Sequence, residues 1–266
     1  MAVNNARVKD GVRRILVALG LRVQFQLKVS KRERADRDEV QALMSDLLRL
    51  ESLPTASELT TDEVGEPVVW NAKKVRKYLD DERILLFHDV IEATKNAGIE
   101  FAGKSVADVG SGTGYMLRLI AGYGPARLVG YDQYNALNIV ASVICPTAEI
   151  VAADLFAQPS ETYDVVFCME TLEHQVDPMA ALHQLVKYVV AGGALILTVP
   201  DGRKDTAESA GKYPGGAGYY GHINFWSIES FGHFVCTALG DGFRVSTRPV
   251  GKGGNLLAVV TECRQG

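Results

Sequence analysis

The segment Val106-Ala-Asp-Val-Gly-Ser-Gly-Thr-Gly-Tyr115 constrains the fold of this chain more than any other stretch. A short apolar run enters Asp108, glycines follow at 110, 112 and 114, and Tyr115 to Ala121 then reads as a helix. Glycines at such a turn let the backbone pass close beneath a bound nucleotide-like ligand and set a helix N-terminus beside it. The spacing departs from the dinucleotide fingerprint G-x-G-x-x-G, because Tyr115 stands where the third glycine would be.

Strand and helix patterns alternate from Lys104 onward. Leu128 to Tyr131 reads as a second strand ending at Asp132, about 20 residues past the glycines, where a nucleotide fold places an acid on ribose hydroxyls. A helix to Ile144 follows, then a strand from Glu149 toward Asp154, an apolar strand from Tyr163 to Met169, and a helix running to Val189. Ala194 to Val199 is almost continuously apolar, as in a strand buried on both faces. Residues 201–221 form a long glycine-rich loop. Ser227 is placed to cap a helix through Leu239, and strands Phe243–Thr247 and Asn255–Thr261 flank Gly251–Gly254. Such alternation specifies a parallel sheet with helices on both faces.

The D-x-G-x-G-x-G pattern from Asp108 to Gly114, with acids at 132 and 154, resembles class I S-adenosylmethionine-dependent methyltransferases. The resemblance covers Lys104 to the C-terminus. It implies an α/β fold, a doubly wound, mostly parallel seven-stranded sheet of Rossmann-like type ending with one antiparallel strand. It further implies S-adenosyl-L-methionine as cofactor, held by Asp108, Gly110, Ser111, Gly112, Gly114, Asp132, Gln133, Asp154, Leu155 and Met169. In that assignment Asp132 meets the ribose, Asp154 faces the adenine amino group and Leu155 flanks the ring.

Glu170, Glu173 and His174 follow the strand that ends at Met169 with spacing i, i+3, i+4, which on a helical turn puts all three on one face. His222 lies in Gly-His-Ile-Asn-Phe-Trp-Ser227, past the long loop. This E-x-x-E-H arrangement with a distant histidine resembles metal-dependent O-methyltransferases of the small-RNA 2′-O and ubiquinone-pathway groups. By that resemblance Glu170, Glu173, His174 and His222 are metal ligands for Mg2+ or another divalent cation. The cation would chelate a vicinal diol and lower the pKa of the attacking hydroxyl. Without a metal, His174 or His222 is the general base, with Glu173 as the third member of a catalytic set. Tyr219, Tyr220, Phe225 and Trp226 offer an apolar wall for the acceptor, or Phe225 and Trp226 belong to the core. His88, His183 and His233 are read as packing or solvent-facing.

The implied reaction is O-methylation of a small molecule or glycan. The alternatives are a metal-independent natural-product or quinone methyltransferase, or a catalytically silent cofactor-binding scaffold. N-methylation is disfavoured, because the strand ends Cys-Met-Glu-Thr171 and not in an Asn-Pro-Pro-Tyr or Asp-Pro-Pro-Tyr motif.

The first hundred residues lie outside the resemblance. Positions 1 to 34 carry nine Lys or Arg against Asp10 and Glu33, so with an overall charge of −4 the rest of the chain is clearly acidic. That balance disfavours a polyanion groove across the catalytic body, and nucleic acid is not the expected partner. Helical spacing of Val8, Val12, Ile15, Leu16 and Leu19, and of apolar residues from Asp38 to Leu53, marks an amphipathic extension. Pro54 to Pro67 reads as a polar linker, and Asn71 to Ala97 as a long helix stopped by Gly98. The division is therefore 1–67, a basic helical extension and linker, and 68–266, the catalytic domain. Pairing of two copies through the extension is open. No apolar run reaches the ~20 residues of a membrane span. The cysteines at 145, 168, 236 and 263 form no C-x-x-C pair, which points to a reduced, cytoplasmic setting.

Overall fold

A computed structural model describes residues 59–61, 67–69, 75, 79, 81–204 and 222–262. In chain order the elements are β1 (Leu59–Thr61), β2 (Pro67–Val69), α1 (Asp81–Asn96), β3 (Ser105–Val109), α2 (Tyr115–Ala121), β4 (Arg127–Asp132) and α3 (Asn135–Ile144). There follow β5 (Glu149–Ala152), β6 (Tyr163–Met169), α4 (Pro178–Val186), β7 (Val189–Pro200), α5 (Ile228–Leu239), β8 (Phe243–Val250) and β9 (Asn255–Glu262).

Seven strands form one sheet in the order β5-β4-β3-β6-β7-β9-β8. The first five are mutually parallel; β9 runs antiparallel to both β7 and β8. This is the doubly wound, Rossmann-like sheet that the alternation of elements requires. Chain direction across the sheet reverses between β3 and β6, and ligands of open α/β sheets bind beyond the strand ends at such a switch point.

Period-two alternation divides the core between the two faces. From β6, Val165, Phe167 and Met169 join α1, α2 and α3, whereas Val166 and Cys168 join α4 and α5. In β7, Ala194 and Ile196 share the first face, and Leu195, Leu197 and Val199 the second. Both faces are covered, so these strands read as continuous apolar runs.

Several boundaries differ from the sequence reading. β1 lies within the stretch read as a linker and pairs antiparallel with β2, which starts at that stretch's last residue, from Leu59↔Val69 to Thr61↔Pro67. Their β-branched residues suit a pleated ribbon. The helix expected over 71–97 has its described α-helical body at Asp81–Asn96, with a bend at Leu79. The helix expected to reach Val189 begins at Pro178, where Asp177 accepts the Ala180 N–H at 2.9 Å, and stops at Val186. Val189 instead starts β7, which runs through Gly192 and Gly193 before the apolar stretch. Ser227 caps α5 as expected, in a reciprocal capping box with Ser230. The amphipathic segments before residue 54 and most of loop 201–221 lie outside the described residues.

Candidate active site

The glycine turn is stitched to the neighbouring strand. The N–H groups of Gly110 and Ser111 both donate to the Tyr131 carbonyl, at 2.8 and 3.0 Å. Gly110, Gly112 and Gly114 all have positive φ, of 82°, 52° and 74°. A Cβ on Gly110 would stand 2.5 Å from Thr171 Oγ1, and one on Gly114 would stand 2.8 Å from Ala141 Cβ. Gly110 therefore lets the turn approach the end of β6, and Gly114 seats α2 against α3.

Asp132, at the end of β4, accepts the Gly112 N–H through Oδ2 at 2.9 Å and the Tyr134 N–H through Oδ1 at 2.8 Å. Burial raises its carboxyl above the usual range, partly offset by these two bonds. Asp108 is buried at the end of β3, and its Oδ1 has no hydrogen-bond partner among the described residues. Burial, then the charge of Asp132, pushes Asp108 up to about 7. Ser111 turns its buried hydroxyl toward Gly130, where an added Cβ would lie 2.9 Å from Oγ. On the far side, exposed Asp154 accepts the Phe156 N–H at 2.7 Å, closing a tight turn that carries half-buried Leu155 and exposed Phe156. Gln133 is exposed and Met169 buried. These positions fit a nucleoside-bearing ligand: a permissive glycine turn, an orphaned buried carboxyl oxygen, and acids beyond two adjacent strands.

Beyond β6 the chain does not enter an α-helix directly. Glu170 adopts a left-handed backbone (φ 51°), its N–H donating to the Thr198 carbonyl at 3.0 Å, and a 3₁₀ turn, Leu172–His174, follows. The expected common helical face of Glu170, Glu173 and His174 is thereby broken. The Glu170 carboxylate instead accepts from Asn255 Nδ2 on β9 at 2.7 Å, and burial raises its pKa.

Glu173, His174 and His222 do come together, with one potential ligand atom from each all within 4.8 Å of one another. Glu170 is not in that group. The Glu173 carboxylate is buried, 3.8 Å from His174 Nε2 and 4.0 Å from His222 Nε2. The two imidazoles meet edge to face with centroids 4.8 Å apart. Two imidazoles and a carboxylate are a donor set suited to a borderline divalent ion. Bonds of about 2.0–2.2 Å to one ion would need these side chains to draw closer together.

Of the aromatic residues proposed as an acceptor wall, Trp226 is core, packed 5.8 Å from Phe231 and 5.3 Å from Phe234. Phe225 is exposed; Tyr219 and Tyr220 lie outside the described residues. His183 bonds the Ala238 carbonyl, and His233 lies beside Thr237. Sequence reasoning missed Asn224 and Asn255, which brace the site; the position of Asn224 inside the Gly-His-Ile-Asn-Phe-Trp segment was the available signal.

Residues 75–238 match the family described as methyltransferase domain. The chain belongs to this family. Residues 75–238 are accordingly its methyltransferase domain. Among similar proteins is a tRNA U34 carboxymethyltransferase of Alteromonas mediterranea, 35% identical over 141 residues, covering 48% of this chain and 41% of that protein. A ubiquinone biosynthesis O-methyltransferase of Pseudomonas savastanoi pv. phaseolicola is 34% identical over 107 residues, covering 38% of this chain and 46% of the relative. The matches span less than half of either relative. In fold, the chain is similar to a SAM-dependent methyltransferase from Aquifex aeolicus, with TM-score 0.55 and 20% identity over 72% of this chain and 98% of the other. It is also similar to magnesium protoporphyrin IX methyltransferase from Synechocystis with bound SAH, with TM-score 0.54 and 20% identity over 71% and 87%. No helix among the described residues is long and apolar enough to cross a membrane.

Proposed function

We propose that this methyltransferase acts on oxygen, methylating a hydroxyl of a small molecule or glycan. The observation that carries the reading is the pair of imidazoles, 4.8 Å apart, leaning on the one buried carboxylate of Glu173. When bound, S-adenosylmethionine supplies an electrophilic methyl group on a sulfonium. Asp132 would hold its ribose, Asp154 its adenine, and the turn from Asp108 to Gly114 its amino-acid end, with Gln133, Leu155 and Met169 lining the crevice. The remaining work is alignment, exclusion of water and removal of one proton. His174 or His222 accepts the hydroxyl proton at an imidazole nitrogen, and the Glu173 carboxylate stabilises the imidazolium that results. The relative named for ubiquinone biosynthesis O-methylation supports a hydroxyl acceptor.

A second reading has a specific basis, the convergence of Glu173, His174 and His222. These three would hold a divalent cation such as Mg2+, which would favour the ionised form of a vicinal diol. In either reading residues 68–266 are the catalytic domain and 1–67 an extension that could pair between copies, in a cytoplasmic setting.

The test is transfer of labelled methyl groups to catechols, flavonoids, sugar diols and tRNA, with and without chelator, followed by added Mg2+. Hydroxyl methylation indifferent to chelation supports histidine base catalysis; loss and rescue support the cation. Transfer to tRNA alone, the acceptor printed in the name of the Alteromonas relative, would overturn the small-molecule assignment.

A further inference from the structure

We infer that Asn224 is a positioning residue that fixes His222 against the turn carrying Glu173 and His174. The inference rests on the proposed function only for its catalytic meaning; the geometry stands by itself. His222 and the Glu173–His174 pair come from segments 48 residues apart in sequence, so something must set their separation. The N–H groups of Ile223 and Asn224 both donate to the Glu173 carbonyl, at 2.9 and 3.1 Å. The Asn224 carboxamide then reaches across the turn. Its Nδ2 lies 2.6 Å from the Gln175 carbonyl oxygen, 3.3 Å from that of Leu172 and 3.5 Å from that of Glu173.

All three partners are carbonyl oxygens, which only accept, so the amide nitrogen must face them. Three carbonyl dipoles directed at one point demand a donor there. A side chain without N–H leaves the short bond to Gln175 unmade in a half-buried place. The backbone carrying His222 is thus tied to the very residue whose carboxylate its ring approaches, and Asn224 locks the tie from the other end of the turn.

The experiment uses full-length protein labelled with ¹³C-histidine, in wild-type, Asn224→Ala and Asn224→Leu forms. It reads the nuclear Overhauser effect between the His174 and His222 rings, alongside calorimetry of S-adenosylhomocysteine. Wild type should show the ring-to-ring cross-peak; both variants should lose it while keeping wild-type affinity. A retained cross-peak in either variant overturns the proposal. So does loss of cross-peak and affinity together in both, because a positioning role is local. If His174→Ala and His222→Ala variants transfer methyl groups at the wild-type rate, the base-catalysis reading fails while the cross-peak result still decides the role of Asn224.

Discussion

Asp132 accepts the backbone N–H of Gly112, twenty positions earlier in the chain, at 2.9 Å. One carboxylate thus holds the glycine turn in place and, in the proposed function, offers its remaining lone pairs to the ribose. Asp132→Asn can accept only through its single amide oxygen and so breaks one of the two backbone bonds. Affinity for S-adenosylhomocysteine should fall by at least about tenfold, equivalent to ~1.4 kcal/mol, by calorimetry. Unchanged affinity would refute the ribose assignment.

Asp108 makes the ligand-free protein's stability depend on pH. Its carboxyl has an ordinary value of 3.8 and is raised to about 7 in the fold. Below 3.8 both folded and unfolded chains hold the proton, and the contribution to stability is complete. As pH rises toward 7 the unfolded chain releases the proton and the folded one keeps it, so stability falls, by at most roughly 4 kcal/mol, and levels off above 7. Urea denaturation from pH 4 to 8 should show Asp108→Asn lacking this decline. Parallel curves for the two proteins would contradict it.

Gly114 combines φ of 74° with an approach that leaves no room for a side chain: an added Cβ would meet Ala141 Cα at 2.9 Å. Gly114→Ala should destabilise the protein by about 1–3 kcal/mol in urea unfolding, since the obstruction is backbone and not a movable side-chain tip.

The hydroxyls of Tyr131 and Tyr163 bond each other at 2.6 Å inside the core. Burial first, and then this bond, raises the Tyr163 pKa above its usual value. Tyr131→Phe and Tyr163→Phe should each cost about 1–3 kcal/mol by stranding the partner hydroxyl. The double variant should cost less than their sum, which a double-mutant cycle measures.

The glycine turn and its tie to Asp132 were legible in sequence because they are local. Three glycines and one strand end encode the turn, and Asp132 sits at the fixed distance that one β-α-β unit imposes. The cluster of Glu173, His174 and His222 was only partly legible. The i, i+3, i+4 spacing of Glu170, Glu173 and His174 carries that meaning only on a helix. The left-handed backbone of Glu170, bonded to Thr198 on the next strand, turns its carboxylate toward Asn255. That pairing joins residues 85 positions apart, which no short window contains. The pairing of β1 with β2 escaped for a simpler reason: three-residue strands are too short to show period two.

Methyl transfer by Glu173→Gln tests the proposed acceptor site most directly, on a hydroxyl substrate of the wild-type enzyme and with S-adenosylhomocysteine affinity measured on the same sample. A fall in kcat of roughly 10²-fold or more is expected, with affinity unchanged, because the neutral amide no longer stabilises the imidazolium. Turnover equal to wild type would contradict it.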